Sequence, residues 1–125
     1  MIESKTKGQI EAEVSEAMVK FEKEHMGRGP DESKTYIIDD MILVRLKGVL
    51  TPAERKLATN QEGIQLIKQM RARLLENSRK LLTDLVNEIT GVEVMSMHTD
   101  ISTKTGERII VFNLKKNIEK KLKKA

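Results

Sequence analysis

The sequence contains no cysteine and no tryptophan, and its aromatic residues are one tyrosine and two phenylalanines. The absence of cysteine excludes disulfides, thiol catalysis and cysteine-ligated zinc or iron–sulfur sites. With so few aromatic side chains, we expect no platform on which nucleic-acid bases could stack. No stretch approaches the roughly 18 consecutive apolar residues of a membrane span, and the N-terminus is unlike a signal peptide. We therefore expect a cytoplasmic protein with no cofactor and no metal site.

Net positive charge is confined to the C-terminus. The formal net charge is +4, but residues 115–125 carry six lysines and one glutamate, which leaves −1 on the other 114 residues. A nucleic-acid groove needs basic residues on the body of the domain, so the signal for nucleic acid is not strong. We expect a single domain over residues 1–114 and a basic C-terminal tail over residues 115–125. Its apolar residues, Ile118 and Leu122, bury too little area for membrane binding alone, which favours a solvated helix.

The first half of the chain predicts a helix and a hairpin. Apolar residues recur at steps of three and four through residues 3–26, which predicts an amphipathic helix with its glutamates, Glu22 among them, mostly off the apolar stripe. Two β-rich runs flank Asp39-Asp40 and predict a hairpin with Tyr36 opposite Leu43. Thr51-Pro52-Ala53-Glu54 combines a capping box with a proline suited to the start of a helix.

A long central helix is the main feature of the second half. Its apolar pattern continues from Ile64 to Thr90, which as one helix would measure about 40 Å. A compact domain of this size has a radius of gyration near ~14 Å, so such a helix would protrude or cross a partner. We therefore expect a homodimer. Arg71, Arg73 and Arg79 are interpreted as part of a solvated face.

Two further strands end the domain. Val92 to Ser102 predicts one strand, and Lys104-Thr105-Gly106 predicts a three-residue turn into Glu107–Leu114. That turn would place Ser96, His98 and Asp100 opposite Leu114, Phe112 and Ile110. The order α-β-β-α-α-β-β predicts an α+β fold. We expect an antiparallel four-stranded sheet packed by the N-terminal helix and the long central helix.

Two groups of residues are candidates for a ligand-binding site. Gly27-Arg28-Gly29-Pro30 ends the first helix, and its backbone N–H groups beside an arginine suit an anion, although a helix cap followed by a turn is the more common explanation of such a sequence. His98 and Asp100 share one strand face, where a proton carrier and a structural, hydrogen-bonded histidine are both open. Arg45 would complete the anion site if the fold brings it close. No nucleophile or metal set accompanies these residues, so we expect no catalytic residues and a non-enzymatic protein.

Four segments together resemble the MpsC family of small bacterial proteins. They are GRGP at 27–30, YIIDDMILVRLKGVLTPAE at 36–54, ITGVEV at 89–94 and HTDISTKTGERIIVF at 98–112. The resemblance covers residues 5–114 and leaves the lysine tail outside. It implies an accessory protein associated with a sodium- or bicarbonate-linked membrane system whose transport subunits are separate membrane proteins. It carries over no catalytic residues.

These observations support two interpretations of function. The first is a non-enzymatic accessory or regulatory protein that acts through protein–protein contact, in the cytoplasm or at the inner face of the membrane. The alternative is a small-anion or nucleotide binding module that uses the Gly27–Pro30 loop, helped by Arg45 or His98.

Overall fold

Helices and strands follow one another in the order α-β-β-α-α-α-β-β. The structure, a computed structural model, describes residues 4–122. Its elements are α1 (Lys7–His25), β1 (Glu32–Ile38), β2 (Met41–Lys47), α2 (Pro52–Leu57), α3 (Gln61–Asn77), α4 (Arg79–Thr90), β3 (Val94–Ser102) and β4 (Glu107–Leu114). The predicted α+β class is therefore confirmed.

The strands form one four-stranded antiparallel sheet in the order β1-β2-β4-β3. The first hairpin has the predicted register, with Tyr36 opposite Leu43. Asp39, in its two-residue turn, has a φ of 56°. Aspartate is among the few non-glycine residues that adopt this left-handed conformation readily, which explains why a turn without glycine still closes the hairpin.

The second hairpin differs from its predicted register by one residue. A bulge interrupts the pairing between Val94 and Ser96, and the turn spans four residues because Ser102 pairs with Glu107. Consequently Ser96 lies opposite Asn113, His98 opposite Val111, and Asp100 opposite Ile109. Since side chains alternate between the two faces of a strand, the shift moves His98 away from the buried residues of β4 and onto the other face.

One face of the sheet carries the core, and we call it the inner face. α1 packs against β1, α4 packs against β3, and the two helices also touch each other. A capping box at Thr6 starts α1, and the C-cap Gly91 ends α4 in the left-handed conformation. The fully buried core includes Ile10, Val14, Met18, Ile42, Val44, Leu46, Leu82, Val86, Ile110 and Phe112.

The predicted single helix from Ile64 to Thr90 is wrong, because it is divided at Ser78 into α3 and α4. Ser78 has φ −102° and ψ 2°, and its N–H is shared between the carbonyl oxygens of Leu74 at 3.2 Å and Leu75 at 3.0 Å. The break lets α4 turn Leu82 and Val86 fully into the core. No helix among residues 4–122 is long and apolar enough to cross a membrane.

The C-terminal tail is partly packed rather than solvated. Ile118 is fully buried, and Glu119 starts a short 3₁₀ turn at Glu119–Lys121. The Glu119 carboxylate accepts a hydrogen bond from the backbone N–H of Asp39 at 2.8 Å and from Lys7 Nζ at 2.7 Å. The tail therefore connects the start of α1 with the turn of the first hairpin. Residues 123–125 of the predicted tail lie outside the described residues.

Candidate functional site

The arginine of the Gly27–Pro30 loop makes its contacts within the same segment of the chain. Gly27 has a φ of 101°, the left-handed conformation expected where a helix ends. Arg28 Nη2 lies 2.6 Å from Asp31 Oδ1, and Arg28 Nε donates to the carbonyl oxygen of Gly29 at 3.0 Å. An anion at this loop would have to compete with Asp31 for the guanidinium.

The other residues considered from the sequence lie across the sheet from this loop. Arg45 lies on the outer face and forms an ion pair with Glu107 at 2.7 Å. His98 and Asp100 lie side by side on the edge strand β3, where both are exposed and Asp100 lies 3.6 Å from Lys68. His98 and Asp100 border a cleft between α3 and β3, whereas Arg28 and Arg45 do not line it.

A cluster of four charged side chains lies inside the domain, and we call Glu22, Glu54, Arg71 and Arg108 the buried charge cluster. Arg71 is 1% exposed. Its Nε donates to Glu54 Oε2 and its Nη2 to Glu54 Oε1, both at 2.7 Å, in a two-pronged ion pair. The Nη2 group also donates to the carbonyl oxygen of Val49 at 2.9 Å. This contact joins α3 to the segment that precedes α2.

The other two members of the cluster are buried without comparable partners. Glu22 is 0% exposed, and its Oε1 lies 3.8 Å from Arg71 Nη1, beyond hydrogen-bonding distance. Arg108 is 2% exposed and donates from Nη1 to Thr99 Oγ1 at 3.0 Å. Neither oxygen of Glu22 has a hydrogen-bond partner among the described residues, and neither do Nε and Nη2 of Arg108. Buried polar atoms of this kind cost stability unless something satisfies them.

The pKa values of the two buried glutamates shift in opposite directions. Burial raises the pKa of Glu22 above its ordinary value, and the nearby guanidinium groups of Arg108 and Arg71 only partly offset this. Burial also acts to raise the pKa of Glu54, but hydrogen bonds from Arg71 and Thr51 outweigh it, so the pKa is lowered. Burial lowers the pKa of Arg108, against the attraction of Glu22. The two carboxylates of the cluster therefore differ in acidity, with the pKa of Glu54 lowered and the pKa of Glu22 raised.

Arg71 and Arg108 open onto the cleft between α3 and β3, which we call the α3–β3 cleft. Its volume is about 370 Å³. Lys68 and Arg79 also line it, and Arg79 Nη1 donates to the carbonyl oxygen of Met97 at 3.1 Å. The remaining lining residues are Ala72, Leu75, Glu76, Met97, His98, Thr99, Asp100 and Ile101. Four cationic side chains thus surround one cavity.

The sequence analysis missed this cluster, although a signal for it was present. Arg71 lies four residues from both Ile67 and Leu75, which are buried on α3, so it stands on the apolar stripe and not on the solvated face that we expected. Arg108 lies two residues before Ile110 on the same inner face of β4. Glu22 continues the buried stripe of α1 instead of lying off it. Each of the three charged residues stands at a position that the spacing of the neighbouring apolar residues marks as buried. This pattern could have identified all of them from the sequence.

A second concave surface is apolar. Met26, Leu57, Leu66, Ile67 and Met70 line a groove of about 500 Å³ between α2 and α3, which we call the α2–α3 groove. Leu66 is 50% exposed and Met70 is 47% exposed. The sheet face opposite the core, the outer face, also carries apolar side chains that no helix covers: Tyr36, Ile38, Met41, Leu43, Ile109 and Val111.

These sites offer hydrogen-bond donors and apolar area that suit binding. Within the described part of the chain, no group of three or more His, Asp or Glu side chains is arranged to hold a metal ion. The cleft joins guanidinium, ammonium, imidazole and hydroxyl groups, all of which can donate hydrogen bonds to an anion. The groove and the outer face offer apolar area of the kind that marks protein–protein contact.

Comparisons with known proteins place the chain in a family. A family model described as the Na⁺-translocating membrane potential-generating system (MpsC) matches residues 6–116. The chain is 48% identical over 120 residues to the "uncharacterized protein YbcI" of Bacillus subtilis (strain 168), covering 96% of this chain and 97% of that protein. It is 24% identical over 108 residues to the "uncharacterized protein YrhF" of the same strain, covering 86% and 88%. No solved structure matches it significantly. The protein belongs to the MpsC family.

Proposed function

We propose that this protein is a non-enzymatic accessory subunit of a sodium- or bicarbonate-linked membrane system and that it acts by protein–protein contact at the cytoplasmic face. Family membership supports the association with a membrane potential-generating system. The separate transport subunits would be the partners, because no helix within residues 4–122 could span a membrane.

The α2–α3 groove is the observation that carries this proposal. Its apolar side chains come from α2, α3 and the end of α1, and Leu66 and Met70 are about half exposed. Burying the exposed half of a leucine or methionine contributes about 0.7–1.5 kcal/mol per side chain, so an uncovered apolar groove favours association. Methionine adapts its shape to the surface that it contacts, which suits a docking site. A partner helix with an apolar stripe would fit the groove.

We also propose that the protein forms a homodimer and that its outer face is the contact. Apolar residues occupy the centre of this face, whereas charges of both signs lie near it, including Arg45 paired with Glu107 and Lys34 paired with Glu32. A surface with both signs around an apolar centre can complement a second copy of itself across a two-fold axis. The groove would then remain free for the membrane partner.

Site-specific photo-crosslinking in the native host tests the accessory role. A photoreactive amino acid at position 70 would lie in the groove, whereas one at the exposed position 116 would lie elsewhere on the surface. We expect an adduct between position 70 and an integral membrane protein, and none from position 116. Adducts with soluble proteins alone, or equal membrane-protein adducts from both positions, would contradict the proposal.

Sedimentation equilibrium separates the two proposed surfaces. Leu43→Asp places a charge in the outer face, and Met70→Asp places one in the groove. We expect Leu43→Asp to abolish dimerisation, while Met70→Asp and the neighbouring exposed control Gln69→Asp leave it intact. A wild-type chain that stays monomeric at every concentration would refute the dimer.

A further inference from the structure

The four cations that line the α3–β3 cleft are not equivalent. Three have an ion-pair partner: Lys68 lies 3.6 Å from Asp100, Arg71 pairs with Glu54 at 2.7 Å, and Arg79 pairs with Glu76 at 3.1 Å. Arg108 has no ion pair of this kind among the residues that the structure describes. It is nevertheless almost completely buried, with Thr99 as the acceptor of one of its nitrogen groups.

Arg108 lines the cavity, and two of its donor groups are unused. Its Nε and Nη2 lack a hydrogen-bond partner among the residues that the structure describes, and so does Nη1 of the neighbouring Arg71. The Nε and Nη2 groups of a guanidinium form the fork that receives two oxygens of a planar carboxylate or of a phosphate. Leaving such a group unsatisfied in a buried site lowers stability, so an acceptor that enters the cleft would gain from pairing with it.

We propose that the α3–β3 cleft binds a small anion through a carboxylate or phosphate group that pairs with Arg108 and Arg71. Lys68 and Arg79 add positive charge at the mouth of the cleft, and Thr99 fixes the Arg108 side chain that receives the anion. This site is separate from the Gly27–Pro30 loop, whose arginine is engaged by Asp31. The inference does not depend on the proposed accessory role.

The size and lining of the cleft limit the ligand. A volume of about 370 Å³ is at the lower end of small-molecule sites. No phenylalanine, tyrosine or tryptophan lines the cavity, so a nucleobase has no aromatic ring on which to stack. Two of the carboxylates that line it, Glu76 and Asp100, would repel a highly charged anion. A small metabolite with a single anionic group fits these conditions best.

Nuclear magnetic resonance of the arginine side chains tests the site directly. Full-length protein labelled with ¹⁵N is titrated separately with inorganic phosphate and with acetate at constant ionic strength. We expect a saturable shift of the Arg108 Nε–H signal and of the backbone amides of Thr99 and Ile101. Saturation by phosphate only or by acetate only would identify which group the cleft accepts, and either result supports the proposal.

Three variants establish whether the cleft is responsible. Arg108→Met should weaken binding about tenfold or more, as expected for losing hydrogen bonds to a charged group. Lys68→Gln, at the exposed mouth, should weaken it about two- to fivefold. Lys20→Gln removes the same charge from the exposed side of α1 and should leave binding unchanged.

Several outcomes would overturn the proposal. These are shifts that never saturate with either anion, saturable shifts that persist in folded Arg108→Met, or equal weakening by Lys68→Gln and Lys20→Gln. If Arg108→Met does not fold, the comparison of the two lysine variants decides the question alone.

Discussion

Replacing Glu54 by alanine should cause the largest loss of stability among single substitutions of the protein's charged residues. The Glu54 carboxylate accepts two hydrogen bonds from Arg71 and one from the backbone N–H of Thr51 at 2.9 Å. Alanine would leave the Arg71 guanidinium, 1% exposed, without its main partner. Removing one member of a buried ion pair costs about 3–5 kcal/mol, and the lost capping box adds roughly ~1 kcal/mol.

The expected change in melting temperature follows from the size of the domain. An unfolding entropy of about 2.1 cal/mol/K per residue gives roughly 0.26 kcal/mol/K for the whole chain. A loss of about 4–6 kcal/mol therefore lowers the melting temperature by about 15–23 °C. Glu54→Gln keeps one acceptor for Thr51 and should lose only about 1.5–3 kcal/mol. Glu16→Gln, on the exposed side of α1, should change stability by less than about 0.5 kcal/mol.

Urea unfolding and calorimetry measure these differences, and a double variant tests their cause. Glu54→Leu combined with Arg71→Met removes both charges, so it should lose less stability than the two single variants together. The lowered pKa of Glu54 means that its contribution is complete above its unfolded value of 4.5 and is lost as the pH falls through the folded value. Losses that add fully in the double variant, or a Glu54→Ala variant as stable as Glu16→Gln, would refute this reasoning.

Three further predictions concern other parts of the chain. Because burial raises the pKa of Glu22, the stability of the wild type should fall relative to that of Glu22→Gln as the pH rises from 4.5 through the pKa of folded Glu22. Urea unfolding midpoints of the two proteins, measured at two pH values, test this. Midpoints that shift in parallel would contradict it. A Cβ on Gly63 would overlap the carbonyl oxygen of Leu57, whereas one on Gly8 would meet nothing within 4 Å. Gly63→Ala should therefore lower the melting temperature, and Gly8→Ala should stabilise α1 by about 0.5–1 kcal/mol; equal effects would show that α2 and α3 can separate at little cost. Ile118→Ala should cost about 2–5 kcal/mol in chemical unfolding if the tail belongs to the core, and a loss below about 0.5 kcal/mol would show that it does not.

The sequence predicts well those elements whose signals are local. Thr51 and Glu54 form the predicted capping box, and Gly27 and Gly91 take the left-handed conformation at helix ends. The register of the first hairpin was predicted correctly because its turn has two residues. Once that turn length is assumed, the partner of every residue on β1 and β2 is fixed. The α+β class and the single four-stranded sheet followed from the order of these elements.

Errors arose where an apolar pattern is compatible with several geometries. The turn between Ser102 and Glu107 has four residues instead of three, which changes the register of β3 by one residue. The bulge between Val94 and Ser96 shifts the pairing again, and no glycine or proline marks it in the sequence. The break at Ser78 leaves the apolar spacing almost unchanged, so the pattern alone favoured one long helix. The shared N–H of Ser78 is visible only in three dimensions.

The candidate site was the least predictable feature because it depends on contacts between distant elements. Arg71 and Arg108 are 37 positions apart in the sequence, yet both line one cavity. Each looks like a surface residue when only its own charge is considered. Their place on the apolar period indicates burial, but their meeting becomes evident only when α3 and β4 are packed around Glu22 and Glu54.

The contact between Lys7 and Glu119 has a consequence for engineering the molecule. Since these side chains lie 2.7 Å apart, the beginning and the end of the described chain are neighbours in space. A short flexible linker could join them, and new termini could open at the Thr103–Gly106 turn without removing a strand. Such a circular permutant would place purification tags beside β3 instead of beside the first hairpin.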